Sequence, residues 1–189
     1  MRTEERTSGR RESDVWKGLT AGLIGGLVAS WTMNRFQDVW SKLAENGEQA
    51  QGARSSQQKG ERQEQQSSDE AQDDTTVRAA SAISEGIFQH KLTEREKKIA
   101  GPVVHYSFGT SVGGLYGTAA ELAPEVTAGI GLPFGAVFWL VADEGAVPLL
   151  GLSKGPTEYP LSTHVYALAS HLVYGLTAEI VRGVVRNAL

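Results

Sequence analysis

Histidines and carboxylates recur within stretches of this 189-residue chain that are otherwise apolar. An ionisable side chain at the centre of a membrane helix costs about 2.5–3.5 kcal/mol on insertion. Imidazole titrates near neutral pH, and a neighbouring carboxylate favours its protonated form. These residues therefore predict a polar cluster that responds to pH; the competing interpretation is a hydrogen-bond network that only fixes helix packing. The predicted cluster consists of His105, Asp143, Glu144, His164 and His171.

A second set of charged residues lies near the ends of the apolar segments. Its members are Glu121, Glu179 and Arg182. At the edge of a membrane, long charged side chains reach toward water, so a simple ion pair suffices to explain them. We interpret this set as a second polar layer whose role is structural.

Glycine returns at every fourth residue of the stretch HYSFGTSVGGLYGTAAE, residues 105–121. Residues four apart lie on the same face of a helix, so these glycines form a stripe. Lipid supplies no hydrophobic force between helices, and small residues mark the faces where membrane helices approach closely. Similar stripes in two further segments predict a compact helical bundle. The residues assigned to helix packing are Gly22, Gly26, Gly109, Gly113, Gly117, Gly131 and Gly135.

Four segments qualify, or nearly qualify, as membrane-spanning helices, which need about 20 mainly apolar residues. They cover about 15–34, 101–122, 126–150 and 162–186. The predicted fold is therefore all-α: a polytopic membrane protein with a four-transmembrane-helix bundle. The competing interpretation is that these segments are core helices of a soluble bundle. That interpretation calls for charged outer faces, which the segments mostly lack.

The other parts of the chain are polar. Residues 1–14 form a polar N-terminal tail, and residues 41–76 form a loop rich in Gln, Ser and Glu that is predicted to be disordered because it can bury little apolar area. Residues 77–98 predict an amphipathic helix, lying on the bundle or on the membrane surface, followed by a helix cap at TERE. Residues 99–188 then form a three-helix membrane region.

The short connections between the apolar segments predict which polar residues lie at the same depth in the helical bundle. The tight sequence ELAPEV, residues 121–126, makes the second and third segments an antiparallel hairpin. The third segment therefore returns Asp143 and Glu144 to the level of His105, and the fourth segment starts there with His164. Glu179 and Arg182 arrive at the level of Glu121.

Several classes of function find no support in the sequence. The absence of cysteine excludes disulfides, thiolate metal sites and cysteine nucleophiles. The net charge of −4, without a basic face, gives nucleic-acid binding little support. We find no phosphate-binding glycine loop, nucleophile elbow or HExxH motif, so we expect no enzyme, no metal and no cofactor. Two alternatives stay open: a redox protein that binds haem through His105 and His171, and a small transporter or channel.

A set of residues in the C-terminal half forms a recognisable pattern: Trp139, Asp143 or Glu144, Pro148-Leu149-x-Gly151, His164, His171, Tyr174 and Glu179-Ile180-x-Arg182. This pattern resembles that of the YagU-like family of bacterial inner-membrane proteins, a domain of unknown function. The resemblance covers roughly residues 100–188 and the first apolar segment, and it leaves out the Gln-rich tract. It implies a location in the bacterial inner membrane and supplies no activity.

The distribution of basic residues predicts how the chain is oriented across the membrane. The N-terminal tail carries four arginines, and long loops count less than short ones in the positive-inside rule. Both termini are therefore expected in the cytoplasm, with the histidine-rich layer on the other side. The expected partners are the lipid bilayer and a second copy of the chain or another membrane protein.

Overall fold

The computed structural model describes the backbone of residues 2–50 and 75–189, and the side chains of residues 14–43 and 75–189. Every regular element in these ranges is helical, so the prediction of an all-α fold is confirmed. Most of the tract predicted to be disordered, residues 51–74, lies outside the described residues. The helices are α1 (Arg2–Ala50), α2 (75–88), α3 (Glu94–Leu122), α4 (Leu132–Val141), α5 (Val147–Leu149) and α6 (Leu161–Ala188).

Helix α1 is much longer than the apolar segment 15–34 within it. Its backbone stays helical through the predicted polar tail and through residues 41–50, which the sequence placed in the disordered loop. No proline interrupts this range, and residues such as Lys42 and Leu43 are good helix formers. The limits of the apolar segment therefore do not set the limits of the helix.

The third apolar segment becomes regular helix later than the predicted start at residue 126. A 3-10 turn covers Pro124–Thr127, and the chain then passes through Gly129, Ile130 and Gly131, all with positive φ. The left-handed backbone favours glycine and ends helical hydrogen bonding. Helix α4 consequently begins at Leu132.

The chain divides into two compact units. The first contains residues 1–33, 106–136 and 171–189; the second contains residues 34–105 and 137–170. Long helices contribute to both.

Within the first unit, α1 and α3 pack backbone against backbone. A Cβ added to Gly22 would collide with the carbonyl oxygen of Gly113, and one added to Gly26 would lie 2.6 Å from the oxygen of Gly109. Residue numbers rise on one helix as they fall on the other, so the two helices are antiparallel. Gly117 extends the same contact toward Gly18.

A second glycine contact joins α6 to the start of α4 in the first unit. A Cβ on Gly131 would collide with the carbonyl of Gly175, and one on Gly135 would collide with that of His171. The two predicted packing residues of this segment thus both lie against α6. Here too the two chain directions oppose each other.

Burial in this protein is the reverse of the usual pattern. Apart from Met33, the buried side chains are small or carry a polar group: alanines, serines, tyrosines and His171. Large aliphatic and aromatic side chains are exposed on every long helix, including Leu27, Leu115, Val137 and Val184. Single exposed apolar residues are normal on a water-soluble surface, but a core that, among the side chains the structure describes, includes no leucine, isoleucine or phenylalanine is not.

Among the described residues, one helical stretch is long and apolar enough by itself to cross a membrane. It runs from Leu132 to Leu149, and 11% of it is buried. The other three segments predicted to span do not meet the same length and hydropathy criterion. The four-helix membrane bundle therefore remains a prediction.

In the second unit, α2 packs against the beginning of α3. A Cβ on Gly101 would lie 3.0 Å from the Cγ2 of Val77 and 3.2 Å from the Oγ1 of Thr76. Ala80 and Ser84 are buried on the same side of α2. Elsewhere in this unit, the rings of Trp40 and Tyr166 lie 6.1 Å apart.

Helix α3 begins with the hydrogen bonds of a capping box. The backbone N–H of Thr93 donates to the Oε2 of Glu96 at 2.7 Å, and the N–H of Glu96 donates to the Oγ1 of Thr93. His90 lies 3.3 Å from the same carboxylate. These donors, first the Thr93 backbone and then its hydroxyl and His90, lower the pKa of Glu96 from 4.5 to about 2.

We expect this cap to depend on pH in a defined window. Because the pKa of Glu96 is lower in the folded protein than the ordinary 4.5, the contribution of Glu96 to stability is complete above pH 4.5 and is lost as pH falls toward 2. Replacing Thr93 by valine removes the hydroxyl and is expected to raise the pKa of Glu96 toward 4.5. NMR titration of the Glu96 carboxyl carbon measures both values. An unchanged titration in the variant would contradict the assignment, and Glu85 serves as an internal control.

Candidate functional site

The second unit contains a cavity of about 100 Å³ at the end of the third apolar segment. This space is comparable to a few water molecules. Its walls come from the turn between α4 and α5, the following loop, the start of α6 and the first residue of α2. The polar or ionisable side chains that line it are Thr75, Asp143, Glu144, Ser153, Lys154, Tyr159, Thr163, His164 and Tyr166.

Glu144 and His164 form a short polar contact in the wall of this cavity. The Nδ1 of His164 lies 2.6 Å from the Oε1 of Glu144, and both side chains are largely buried. The other ring nitrogen, Nε2, lies 3.0 Å from the backbone oxygen of Pro156. The imidazole thus links the turn after α4, the loop and α6.

Both ring nitrogens of His164 face acceptor atoms, the Glu144 carboxylate at Nδ1 and the Pro156 oxygen at Nε2. A carbonyl oxygen and an ionised carboxylate only accept, so an imidazole with a hydrogen on each nitrogen would satisfy both contacts.

A wide helical turn positions the two carboxylates. Residues Ala142–Ala146 form one π-helical turn, in which the N–H of Val147 donates to the oxygen of Ala142. Pro148 follows at once; it lacks an N–H, and its ring crowds the carbonyl four residues earlier, which disfavours a regular α-turn here. Such π-turns are frequent at functional sites. Here the turn carries both Asp143 and Glu144 into the cavity wall.

The structure brings together three of the five residues predicted as one cluster. Asp143, Glu144 and His164 line the same cavity. His105 belongs to the same unit but does not line the cavity, and His171 belongs to the first unit, where it is buried. The axial pair required for the haem alternative, His105 and His171, is therefore divided between the two units. The described residues contain no group of three His, Asp or Glu that could hold a metal ion.

The second predicted layer is a set of ion pairs within the first unit. Arg182 donates two hydrogen bonds of 2.7 Å to Glu179, whose Oε2 also accepts from the hydroxyl of Tyr116 at 2.9 Å. Glu121 accepts from Arg186 at 2.6 Å. The three predicted residues thus each have a partner, and all the partners lie on α3 or α6.

Two members of this charged set were not among the predicted site residues. Arg186 donates to Asp14 at 3.1 Å as well as to Glu121, so it ties α1 to α3 through α6. The sequence carries a usable signal for Arg186: it lies seven residues after Glu179, on the same helix face. No comparable signal marks Asp14, because it is distant in sequence and lies in the predicted polar tail.

Comparison with protein-family models shows which family the chain belongs to. A family model described as a protein of unknown function, DUF1440, matches residues 74–180, more than half of the sequence. The chain belongs to this family. This is the YagU-like family that the C-terminal half resembles, so that identification is confirmed. No curated protein and no solved structure matches the chain.

The DUF1440 match separates the two polar sites. It contains the whole of the Glu144–His164 cavity, from Thr75 in α2 to Ala167 in α6. It ends before Arg182 and leaves out the first apolar segment, which the resemblance had included. The cavity is thus part of the DUF1440 region, whereas the ion pairs of Arg182 and Arg186 lie at its boundary or beyond it.

Proposed function

We propose that this DUF1440 protein is an integral protein of the bacterial inner membrane whose four apolar segments cross the bilayer. The observation that carries this proposal is the reversed burial: small and polar side chains inside, large apolar side chains outside. In water this arrangement would leave most large apolar side chains exposed, so the free energy that their burial provides would be lost. In lipid it is the expected one, because tight packing of small residues and interior hydrogen bonds hold membrane helices together.

The contacts of the first unit fit the same proposal. Large apolar side chains are exposed on both α3 and α6, as at Leu115 and Ile180. The polar groups between the helices are satisfied by one another, as in the pair of Tyr116 and Glu179. A bilayer requires this division, because it offers polar groups no water.

Cysteine accessibility tests the proposal directly, because the chain has no cysteine of its own. Cysteines at Leu115 and Val137 are expected to resist a water-soluble maleimide in intact membranes. We place both termini in the cytoplasm, so Lys154→Cys should react in intact cells and Glu125→Cys only after permeabilisation. Rapid labelling at Leu115 and Val137 would overturn the membrane proposal. The reverse order at Lys154 and Glu125 would overturn only the orientation.

We further propose that the Glu144–His164 cavity is the pH-responsive site of this protein. There an imidazole, the side chain whose charge changes most readily near neutral pH, lies 2.6 Å from a carboxylate. A change in its protonation would alter its contacts with Glu144 and with the Pro156 oxygen, and so the attachment of the Pro156 loop to α6. The ionisable groups that face the pair across the cavity are Asp143, Lys154, Tyr159 and Tyr166.

Replacing Glu144 by glutamine is expected to remove this pH dependence. In the unmodified protein, the ring-nitrogen shifts of His164 and the amide shifts of residues 154–158 should change together with pH. In the variant, the loop amides should no longer change together with the ring nitrogens, because the carboxylate that the ring contacts is gone. NMR of the labelled protein in detergent makes the measurement. Unchanged coupling in Glu144→Gln would exclude the pair as the responsive group.

A growth experiment tests whether the site serves acid stress. Cells that carry His164→Gln in place of the natural protein should recover more poorly from acid shock than cells that carry His90→Gln. The second variant is the matched control, because His90 lies in the same unit, outside the cavity. Equal recovery of the two strains would remove the stress role and leave the structural role of the pair untouched. The proposal assigns the protein no catalytic reaction.

A further inference from the structure

We infer that α2 and the basic segment after it form an interfacial anchor that binds anionic lipid headgroups. This inference rests on the proposed membrane location and names the lipid chemistry that the second unit recognises. It begins from three apolar residues of α2 that remain uncovered: Ile83, Ile87 and Phe88 are 48%, 71% and 73% exposed.

The uncovered residues lie beside the packed face of α2, away from its charges. At 3.6 residues per turn, Arg78 and Glu85 fall on the side of the helix opposite Ile87. The buried Ala80 and Ser84 fall on the same side as Ile87, between Ile83 and Phe88 around the helix. The apolar side of α2 is thus covered only along its middle, and its larger residues remain open, as in a helix lying in the plane of a membrane surface.

The positive charge of the segment that follows α2 indicates an anionic lipid headgroup. Lys91, Arg95 and Lys98 are exposed, and within the described part of the chain none of them forms an ion pair. Lys97, by contrast, is paired with Glu94. A basic cluster beside an apolar helix is typical of binding to anionic lipid, and each such charge strengthens attachment about fivefold.

Exposed apolar residues also continue along the chain from α2 into the start of α3, a helix that we place in the bilayer. Ile99 and Val103, one turn apart at the start of α3, are exposed in the same unit. Lys98 immediately precedes them, where a lysine would mark the boundary of the bilayer. The apolar residues of α2 and α3 and the basic residues between them therefore suit one occupant, the headgroup region of a bilayer.

A fluorophore attached to single cysteines tests this inference in the full-length protein. Ile87→Cys carries the environment-sensitive label on the apolar side, and Glu85→Cys carries it on the polar side as the matched control. The protein is reconstituted in vesicles of phosphatidylcholine alone, and in vesicles of equal parts phosphatidylcholine and phosphatidylglycerol. We expect the label at 87 to be blue-shifted and protected from dithionite in the mixed vesicles, with several-fold weaker protection in phosphatidylcholine. The label at 85 should react freely in both.

Neutralising the basic segment should abolish the lipid preference. With Lys91, Arg95 and Lys98 all changed to glutamine, protection at residue 87 in mixed vesicles is expected to fall to the level in phosphatidylcholine. Equal reaction at 87 and 85, or protection that ignores the lipid and the three charges, would overturn the inference. Protection that disappears in nanodiscs holding one copy would also overturn it, because a second copy would then be covering α2.

A label at Val137 separates this inference from the membrane proposal. Val137 lies in α4, is 57% exposed, and belongs to the stretch that is apolar enough to cross a bilayer. Protection at 137 without protection at 87 would show a spanning protein whose α2 lies in water. Free reaction at both positions would reject the membrane proposal itself.

Discussion

Replacing Gly113 by alanine is expected to destabilise the protein by about 3 kcal/mol. The added Cβ would lie 2.5 Å from the Cα of Gly26 and 2.6 Å from the carbonyl oxygen of Gly22. Both neighbours are backbone atoms, so no side-chain rotation can make room and α1 must move away from α3. The separation would weaken the contacts at Gly109 and Gly117 on the same stripe. Thermal unfolding followed by circular dichroism in detergent measures the loss.

A second glycine-to-alanine change separates this clash from other effects of the substitution. Gly183 lies inside α6, and a Cβ there meets nothing within 4 Å. Gly183→Ala is expected to be neutral or to stabilise by up to about 1 kcal/mol, because alanine favours a helix over glycine. If Gly113→Ala proved as harmless as Gly183→Ala, the close approach of α1 and α3 would be wrong.

Replacing Tyr174 by alanine is expected to cost about 3–5 kcal/mol. Tyr174 is 1% exposed and is the largest fully buried side chain among the described residues. Its hydroxyl donates to the backbone oxygen of Gly109 on α3, and its ring lies 6.2 Å from that of Phe134. The variant therefore loses a hydrogen bond and leaves a cavity between helices of the first unit.

Two further variants divide this loss into its parts. Tyr174→Phe keeps the ring and should cost about 1 kcal/mol for the missing hydrogen bond. Phe108→Ala removes a ring that is exposed on α3, so it should change stability little in detergent, where the surroundings are as apolar as the protein. A Phe108→Ala loss as large as that of Tyr174→Ala would contradict the reversed burial on which the membrane proposal depends.

Local patterns in the sequence were enough to predict the helical fold and the family. The period of four at Gly109, Gly113 and Gly117 describes one face of one helix, and that information is local. Likewise, the residues TERE predict a cap because a hydroxyl and a carboxylate three residues apart can satisfy each other's backbone amides. Element limits were less predictable: α1 extends well past its apolar segment, and positive φ values at residues 129–131 delay α4.

The composition of the polar sites could be predicted only in part. Levels counted along the helices predicted Glu144 and His164 at one depth, and the structure has these two side chains in contact. Such counting gives height along a helix but not direction around it, so the inclusion of His105 and His171 in one cluster stays a prediction. The contact between His164 and the backbone oxygen of Pro156 could not be predicted, because every residue has a backbone oxygen and residue types do not show which one a side chain will meet.

By itself, the amino-acid sequence determined that this protein is helical, that its glycines recur on single helix faces, that acids and histidines interrupt its apolar segments, and that it belongs to the DUF1440 family. The tertiary structure alone decided which of these residues meet. It brought His164 within 2.6 Å of Glu144, joined Arg186 to Asp14 across 172 positions of sequence, and turned the large apolar side chains outward. The reason is physical: hydrogen bonds and ion pairs act over a few ångströms, and only the packing of whole helices brings distant residues that close.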